Sequence, residues 1–229
     1  MNEKKTAGEK AAEFVEDGMT IGLGTGSTVY YTIRKIGERV QNGLKITGVP
    51  TSQATAVLAR GCGIPLADLN DTDTIDLTID GADEVDPALN GIKGGGGALL
   101  FEKLVANASK KNIWVVDHSK QVEKLGAYPL PVEVIPFGWK QIMKIFEEKG
   151  FRPVLRMKNG QPFQTDGGHY IVDIRAGHAG DMVALGKWLD GLTGVVEHGL
   201  FLGTCDLVVV GDGESVSMRE KPRETGNRS

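Results

Sequence analysis

The strongest constraint on the fold is an alternation. Short, continuously apolar runs take turns with segments whose apolar positions recur at helical spacing. Residues 19–24 read as a buried strand, and from Ser27 onward Val29, Ile33, Ile36 and Val40 mark one helical stripe. Further strands are expected at 44–49, 65–69, 75–80 and 113–116, with helices at 52–60 and 98–109. Strands that are apolar along their whole length must be buried on both faces. The expectation is therefore an α/β fold, an open, mostly parallel, Rossmann-like sheet flanked by helices.

The pattern changes after Tyr128-Pro129-Leu130-Pro131. A strand (132–135), an amphipathic helix (139–149), two strands (152–157 and 169–174), a helix (182–192) and a strand near Val195 follow. This βαββαβ order is the signature of a ferredoxin-like unit. The run "CDLVVV" at 205–210 is again of parallel-sheet type and is expected to return to the first sheet. The smaller α+β unit is thus an insertion, giving an α/β catalytic domain of residues 1–127 plus 204–229 and a ferredoxin-like domain of 128–203. The polar tail from Ser215 is expected to fray.

Composition narrows the function. Hydrophobic residues make up 40% of the 229-residue chain and charged ones 24%, which suggests neither disorder nor a membrane protein. The N-terminal MNEKKTAGEK lacks the apolar core of a signal peptide, so a cytoplasmic location is expected. Cys62 and Cys205 stand alone, and His118, His169, His178 and His198 lack ligand spacing, so no metal site is expected. A net charge of −4 disfavours nucleic acid. An anionic small molecule would need a local cluster of lysines and backbone N–H groups.

Ligands of open α/β sheets bind outside the carboxyl ends of the strands, and several unusual segments fall there. Gly22-Leu23-Gly24-Thr25-Gly26-Ser27-Thr28 lets the backbone approach a ligand and places two hydroxyls at a helix start, where phosphates are favoured. It matches neither the dinucleotide fingerprint nor the P-loop, and alone it also fits a capped tight turn. Asp80-Gly81-Ala82-Asp83-Glu84-Val85-Asp86 fits either a solvated acidic turn or a set of working carboxylates. Asp80 closes a strand, so its side chain is expected to face the crevice. In Lys93-Gly94-Gly95-Gly96-Gly97-Ala98-Leu99-Leu100-Phe101-Glu102-Lys103, Glu102 shares a stripe with Ala98, Val105 and Ala106 and leans toward the glycines. Lys120 follows the strand "IWVV" at the same edge.

Together and in this order, "GLGTGST", "TSQAT", "DLTIDGADEVD", "KGGGGALLFEK", "VVDHSK" and "TDGGHYIVDI" resemble the type A ribose-5-phosphate isomerases. The resemblance implies an α/β domain carrying a small α+β domain. It also implies a cofactor-free, cytoplasmic homo-oligomer, expected as a homodimer, that interconverts ribose 5-phosphate and ribulose 5-phosphate in the pentose phosphate pathway. By motif it assigns the base to Glu102, catalytic roles to Asp80, Asp83 and Lys93, and phosphate binding to Thr25, Ser27, Thr28, Lys120 and Lys4, with Gly26 in the same turn. Such chemistry suits the residues: one carboxylate can move a proton between C2 and C1. Lys93 and the N–H groups of Gly94, Gly95, Gly96 and Gly97 are expected to hold the enediolate. A sugar-phosphate-sensing regulator, an amino-sugar-phosphate deaminase and a CoA transferase are the competing readings.

Overall fold

The computed structural model describes residues 2–221. Its first half runs α1 (Glu3–Ala12), β1 (Thr20–Leu23), α2 (Val29–Gln41), β2 (Thr47–Pro50), α3 (Gln53–Gly61), β3 (Leu77–Gly81), β4 (Glu84–Val85), β5 (Gly91–Ile92), α4 (Leu99–Asn107) and β6 (Asn112–Asp117). The second half runs β7 (Leu130–Val134), α5 (Trp139–Glu148), β8 (Val154–Leu155), β9 (Met157–Lys158), β10 (Gln161–Pro162), β11 (Tyr170–Ile174), α6 (Met182–Asp190), β12 (Val195–His198), β13 (Leu200–Phe201), β14 (Leu207–Asp212) and β15 (Ser215–Glu220).

A six-stranded sheet, ordered β15-β14-β6-β3-β1-β2, is parallel throughout except for β15. Its inner strands β6 and β14 are apolar on both faces because both are covered. Ile113, Val115, Leu207 and Val209 pack with Ala7, Ala11, Ile33 and Ile36 on one side. Trp114, Val116, Val208 and Val210 alternate with them and pack with Leu99, Val85 and Phe201 on the other. Between β6 and β14 the chain builds a four-stranded antiparallel sheet, ordered β12-β7-β11-β8. Ile142 and Phe146 of α5 and Leu185 and Leu189 of α6 cover it, as the βαββαβ pattern requires. A three-stranded sheet of β13, β5 and β4 joins the two.

Two expectations are corrected and one helix is added. The strand at 65–69 reduces to a single bridge, Gly48 with Leu66, because Asp68 accepts the Asn70 N–H at 2.8 Å and turns the chain into a 3₁₀ turn. The tail from Ser215 does not fray through Glu220. It folds back over Gly213 as β15, since strand pairing uses backbone groups and needs only Val216 to reach the core. Residues 222–229 lie outside those described. Helix α1 is absent from the sequence reading because it buries only Ala7, Gly8, Ala11 and Ala12 and so carries no stripe of large apolar residues. Gly8 lets it lie close to α2: a Cβ there would stand 2.7 Å from the Thr28 carbonyl oxygen.

Candidate active site

The carboxyl ends of β1, β3 and β6 open onto a cavity of about 240 Å³. A larger cleft of about 470 Å³ between α3 and α4 has a mainly apolar lining, with Arg60 and Asp68 as its charged members, and gathers no comparable set of titratable groups.

Asp80, at the end of β3, sits under the cavity rather than in its wall. Its Oδ1 accepts the N–H groups of Thr25 (3.0 Å) and Gly81 (2.8 Å), and its Oδ2 accepts from Lys93 Nζ (2.9 Å). A Cβ on Gly24 would come within 2.1 Å of that Oδ1, so the glycine of the first turn makes room for Asp80. Lys93 also donates to the Gly81 carbonyl at 2.6 Å, leaving one ammonium proton for the cavity. Glu102 Oε2 lies 3.2 Å from Lys93 Nζ, but without hydrogen-bonding geometry.

Both side chains are almost fully buried, at 3% and 4% exposure. Burial pushes the Glu102 carboxyl up to about 8, the Asp80 charge adds to it, and Lys93 opposes. For Lys93, burial alone would lower the ammonium, but Asp80 and Glu102 outweigh it and raise it above the ordinary lysine range. The cavity floor is thus a permanent cation beside a carboxyl group that readily holds a proton.

The opposite end suits an anion. Gly26 (φ 139°) turns the chain toward α2, and the N–H groups of Gly26, Ser27 and Thr28 have no partner among the described residues. Lys4 Nζ donates to Ser27 Oγ at 3.0 Å. Lys120 closes a 3₁₀ turn, His118–Lys120, capped by Asp117. His118 pairs with Glu3 at 2.9 Å, tying α1 to that turn and holding Lys4 and Lys120 at one end. The pair raises the His118 imidazolium above the ordinary histidine range, chiefly through its hydrogen bond to Glu3.

The cavity wall includes Lys4, Thr25, Gly26, Ser27, Thr28, Asp83, Lys93, Gly94, Gly95, Gly96, Glu102 and Lys120, but neither Asp80 nor Gly97. Two sets of expected donors already have partners within the fold. The Thr25 hydroxyl bonds Thr51 (2.8 Å), Ser52 (2.8 Å) and Thr55 (3.1 Å), so a phosphate would have to compete with three buried hydroxyls for it. Of the four loop amides, Gly95 donates to Asp83 Oδ2 (2.8 Å) and Gly97 to the Gly94 carbonyl (2.9 Å), leaving Gly94 and Gly96 without partners among the described residues.

The glycines answer to packing as much as to a ligand. Cβ atoms at Gly94, Gly95 and Gly97 would stand 2.9, 2.5 and 2.4 Å from Leu99, the Tyr128 hydroxyl and Phe163. At Gly96 the nearest atom is the Thr25 methyl, 3.8 Å away. Asp117, also in the wall, escaped the sequence reading. It closes β6 much as Asp80 closes β3, and that shared position was the available signal.

Lysines and free amides at one end of a small cavity, with a protonatable carboxylate beside a buried ammonium at the other, define an α/β enzyme. Its site suits a small anion and proton transfer. The comparisons are specific. The ribose 5-phosphate isomerase A (phosphoriboisomerase A) family profile matches residues 47–215. A ribose-5-phosphate isomerase A of Streptococcus pyogenes serotype M5 (strain Manfredo) is 54% identical over 221 residues, covering 96% of this chain and 97% of that one. One from Listeria innocua serovar 6a is 57% identical over 212 residues, covering 92% and 95%. A solved D-ribose-5-phosphate isomerase in complex with phospho-erythronic acid superposes with a TM-score of 0.93 at 41% identity, covering 96% of this chain and all of that one (100%). The chain belongs to the ribose 5-phosphate isomerase A family.

Proposed function

We propose that this chain interconverts D-ribose 5-phosphate and D-ribulose 5-phosphate through an enediolate, with Glu102 carrying the proton between C2 and C1. The observation that supports this most is Glu102 itself: a buried cavity carboxylate, close to Lys93 yet not hydrogen-bonded to it, whose affinity for a proton is raised toward neutrality. Lys120, Lys4, Ser27 and the amides of Gly26, Ser27 and Thr28 bind the phosphate. Lys93 and the N–H groups of Gly94 and Gly96 hold the developing oxyanion. Buried Asp80 positions Lys93, while cavity-facing Asp83 serves the sugar hydroxyls and ring opening. The molecule would work in the pentose phosphate pathway.

The division into residues 1–127 plus 204–229 and residues 128–203, a cytoplasmic location and a homodimer belong to the same proposal. Phe137, Val154 and Met157, exposed at 91%, 62% and 54% on the four-stranded unit, supply apolar surface for a second copy. Light scattering during gel filtration reads the dimer.

The enzymatic test is ketose formation from ribose 5-phosphate by the dialysed protein. Ammonia release from an amino-sugar phosphate, with no ketose from the pentose, would favour the deaminase reading. Phospho-erythronic acid is a useful competitor, because its carboxylate offers negative oxygens at the end of the carbon chain opposite the phosphate.

A further inference from the structure

The cavity's reacting end is shaped from outside the six-stranded sheet. Arg156, between β8 and β9, has its backbone pinned on both sides: its N–H donates to the Ile171 carbonyl and its carbonyl accepts from Phe163, both at 2.8 Å. Asp173 grips the guanidinium at Nε (2.9 Å) and at Nη2. The remaining nitrogen, Nη1, donates to the Gly94 carbonyl at 2.8 Å and to the Gly95 carbonyl at 3.1 Å. Arg156 is not in the cavity wall, so it reaches the site only through the loop.

We propose that Arg156 is a positioning residue for the isomerisation, one that sets two consecutive peptide planes of the glycine loop and through them the donors at the reacting end of the sugar. This rests on the isomerase reading above. In a planar trans peptide the carbonyl and the following N–H point in opposite directions, and there is no cis bond among the described residues. Holding the Gly94 carbonyl on Arg156 therefore turns the Gly95 N–H the other way, where it meets Asp83 Oδ2 at 2.8 Å. Holding the Gly95 carbonyl turns the Gly96 N–H the same way, and Gly96 is a cavity residue whose N–H has no partner among the described residues.

One guanidinium nitrogen thus orients a carboxylate and a free donor together. A charged group on the carbonyl also polarises the amide and strengthens its N–H as a donor. A lysine could not replace it. A single ammonium lacks the planar fork that fits Asp173 on one edge while serving two carbonyls on another. The phosphate end, built from α1, α2 and the turn at Lys120, makes no hydrogen bond to Arg156, so the two ends should respond differently to its loss.

The test compares Arg156→Met and Arg156→Lys with the wild-type protein. Loss of a positioned oxyanion donor or a small misplacement lowers turnover, so kcat should fall about ten- to hundred-fold while KM moves less than about threefold. Binding should split in the same way. Phospho-erythronic acid should compete about tenfold more weakly, and inorganic phosphate should compete as before. A kcat within about threefold of wild type in both variants, or an equal loss of both competitors, would overturn the proposal. If Arg156→Met does not fold, Arg156→Lys decides. If the wild-type protein forms no ketose, the isomerase reading fails, and calorimetric binding of phospho-erythronic acid and of inorganic phosphate to wild type and variants still reports whether Arg156 sets the loop.

Discussion

At Glu102, two opposed demands meet: a base must be free to accept a proton, yet burial favours keeping one on it. With the carboxyl raised to about 8 from an ordinary value of 4.5, the folded chain holds a proton that the unfolded chain has already released. Stability contributed at this position is therefore greatest at low pH and declines as pH rises through about 8. In the proposed reaction catalysis runs the other way, because Glu102 as the base would work when ionised. The pH profile of kcat/KM should rise about tenfold per unit below that value and level off above it. Glu102→Gln keeps the size but cannot accept the C2 proton, so kcat should drop on the order of 10²–10⁴ with KM little changed. Exchange of the C2 proton of ribose 5-phosphate with deuterated solvent, followed by NMR, checks this. Exchange in the variant above about a tenth of the wild-type rate would assign the base elsewhere.

The element that decides the site is the segment from Lys93 to the start of α4, and its glycines are not equivalent. Gly97 has φ 82° and a Cβ there would meet Phe163 at 2.4 Å, so Gly97→Ala should cost roughly 1–3 kcal/mol from backbone strain alone, with the clash added. Gly96→Ala meets open space instead. It should leave the melting temperature nearly unchanged while raising KM, because its methyl group enters the cavity. Thermal melts paired with kinetics separate the two.

Elements with large apolar residues at a regular period were legible in the sequence, from β1 to β14, and so was the gathering of Lys93, Glu102 and Lys120 at one sheet edge. Helix α1 was not, because alanine and glycine pack closely without leaving a hydrophobic stripe. Arg156 was not legible because its partners, Gly94 and Gly95, lie about sixty positions away and are backbone oxygens, which carry no sequence signature. The hydroxyl partners of Thr25 were not legible, because the order of residues in "GLGTGST" does not tell which side of the turn faces Thr51 and Ser52.

On the scale of the whole molecule, an acidic chain must attract a dianion. The net charge of −4 repels it at a distance, so attraction depends on Lys4 and Lys120 near the Ser27 turn. A charge-assisted hydrogen bond is worth roughly 1.5–3 kcal/mol, so Lys120→Ala should raise KM for ribose 5-phosphate by about one to two orders of magnitude at low salt. An unchanged KM would place Lys120 in solvent.

The four-stranded unit leaves and rejoins the larger sheet at one spot. Gly199 donates to the Pro131 carbonyl at 2.8 Å, and its own carbonyl accepts the Lys93 N–H at 2.9 Å. The hinge about which that unit would swing is thus stitched to the residue that carries the ammonium. A clamshell motion would have to strain that stitch, so the expected behaviour is a fixed mould that sugar enters and leaves without waiting for a door. Rapid mixing should then show an observed binding rate for phospho-erythronic acid that climbs in proportion to its concentration, with no ceiling from a slow closing step. A plateau would mean that the stitch opens in solution.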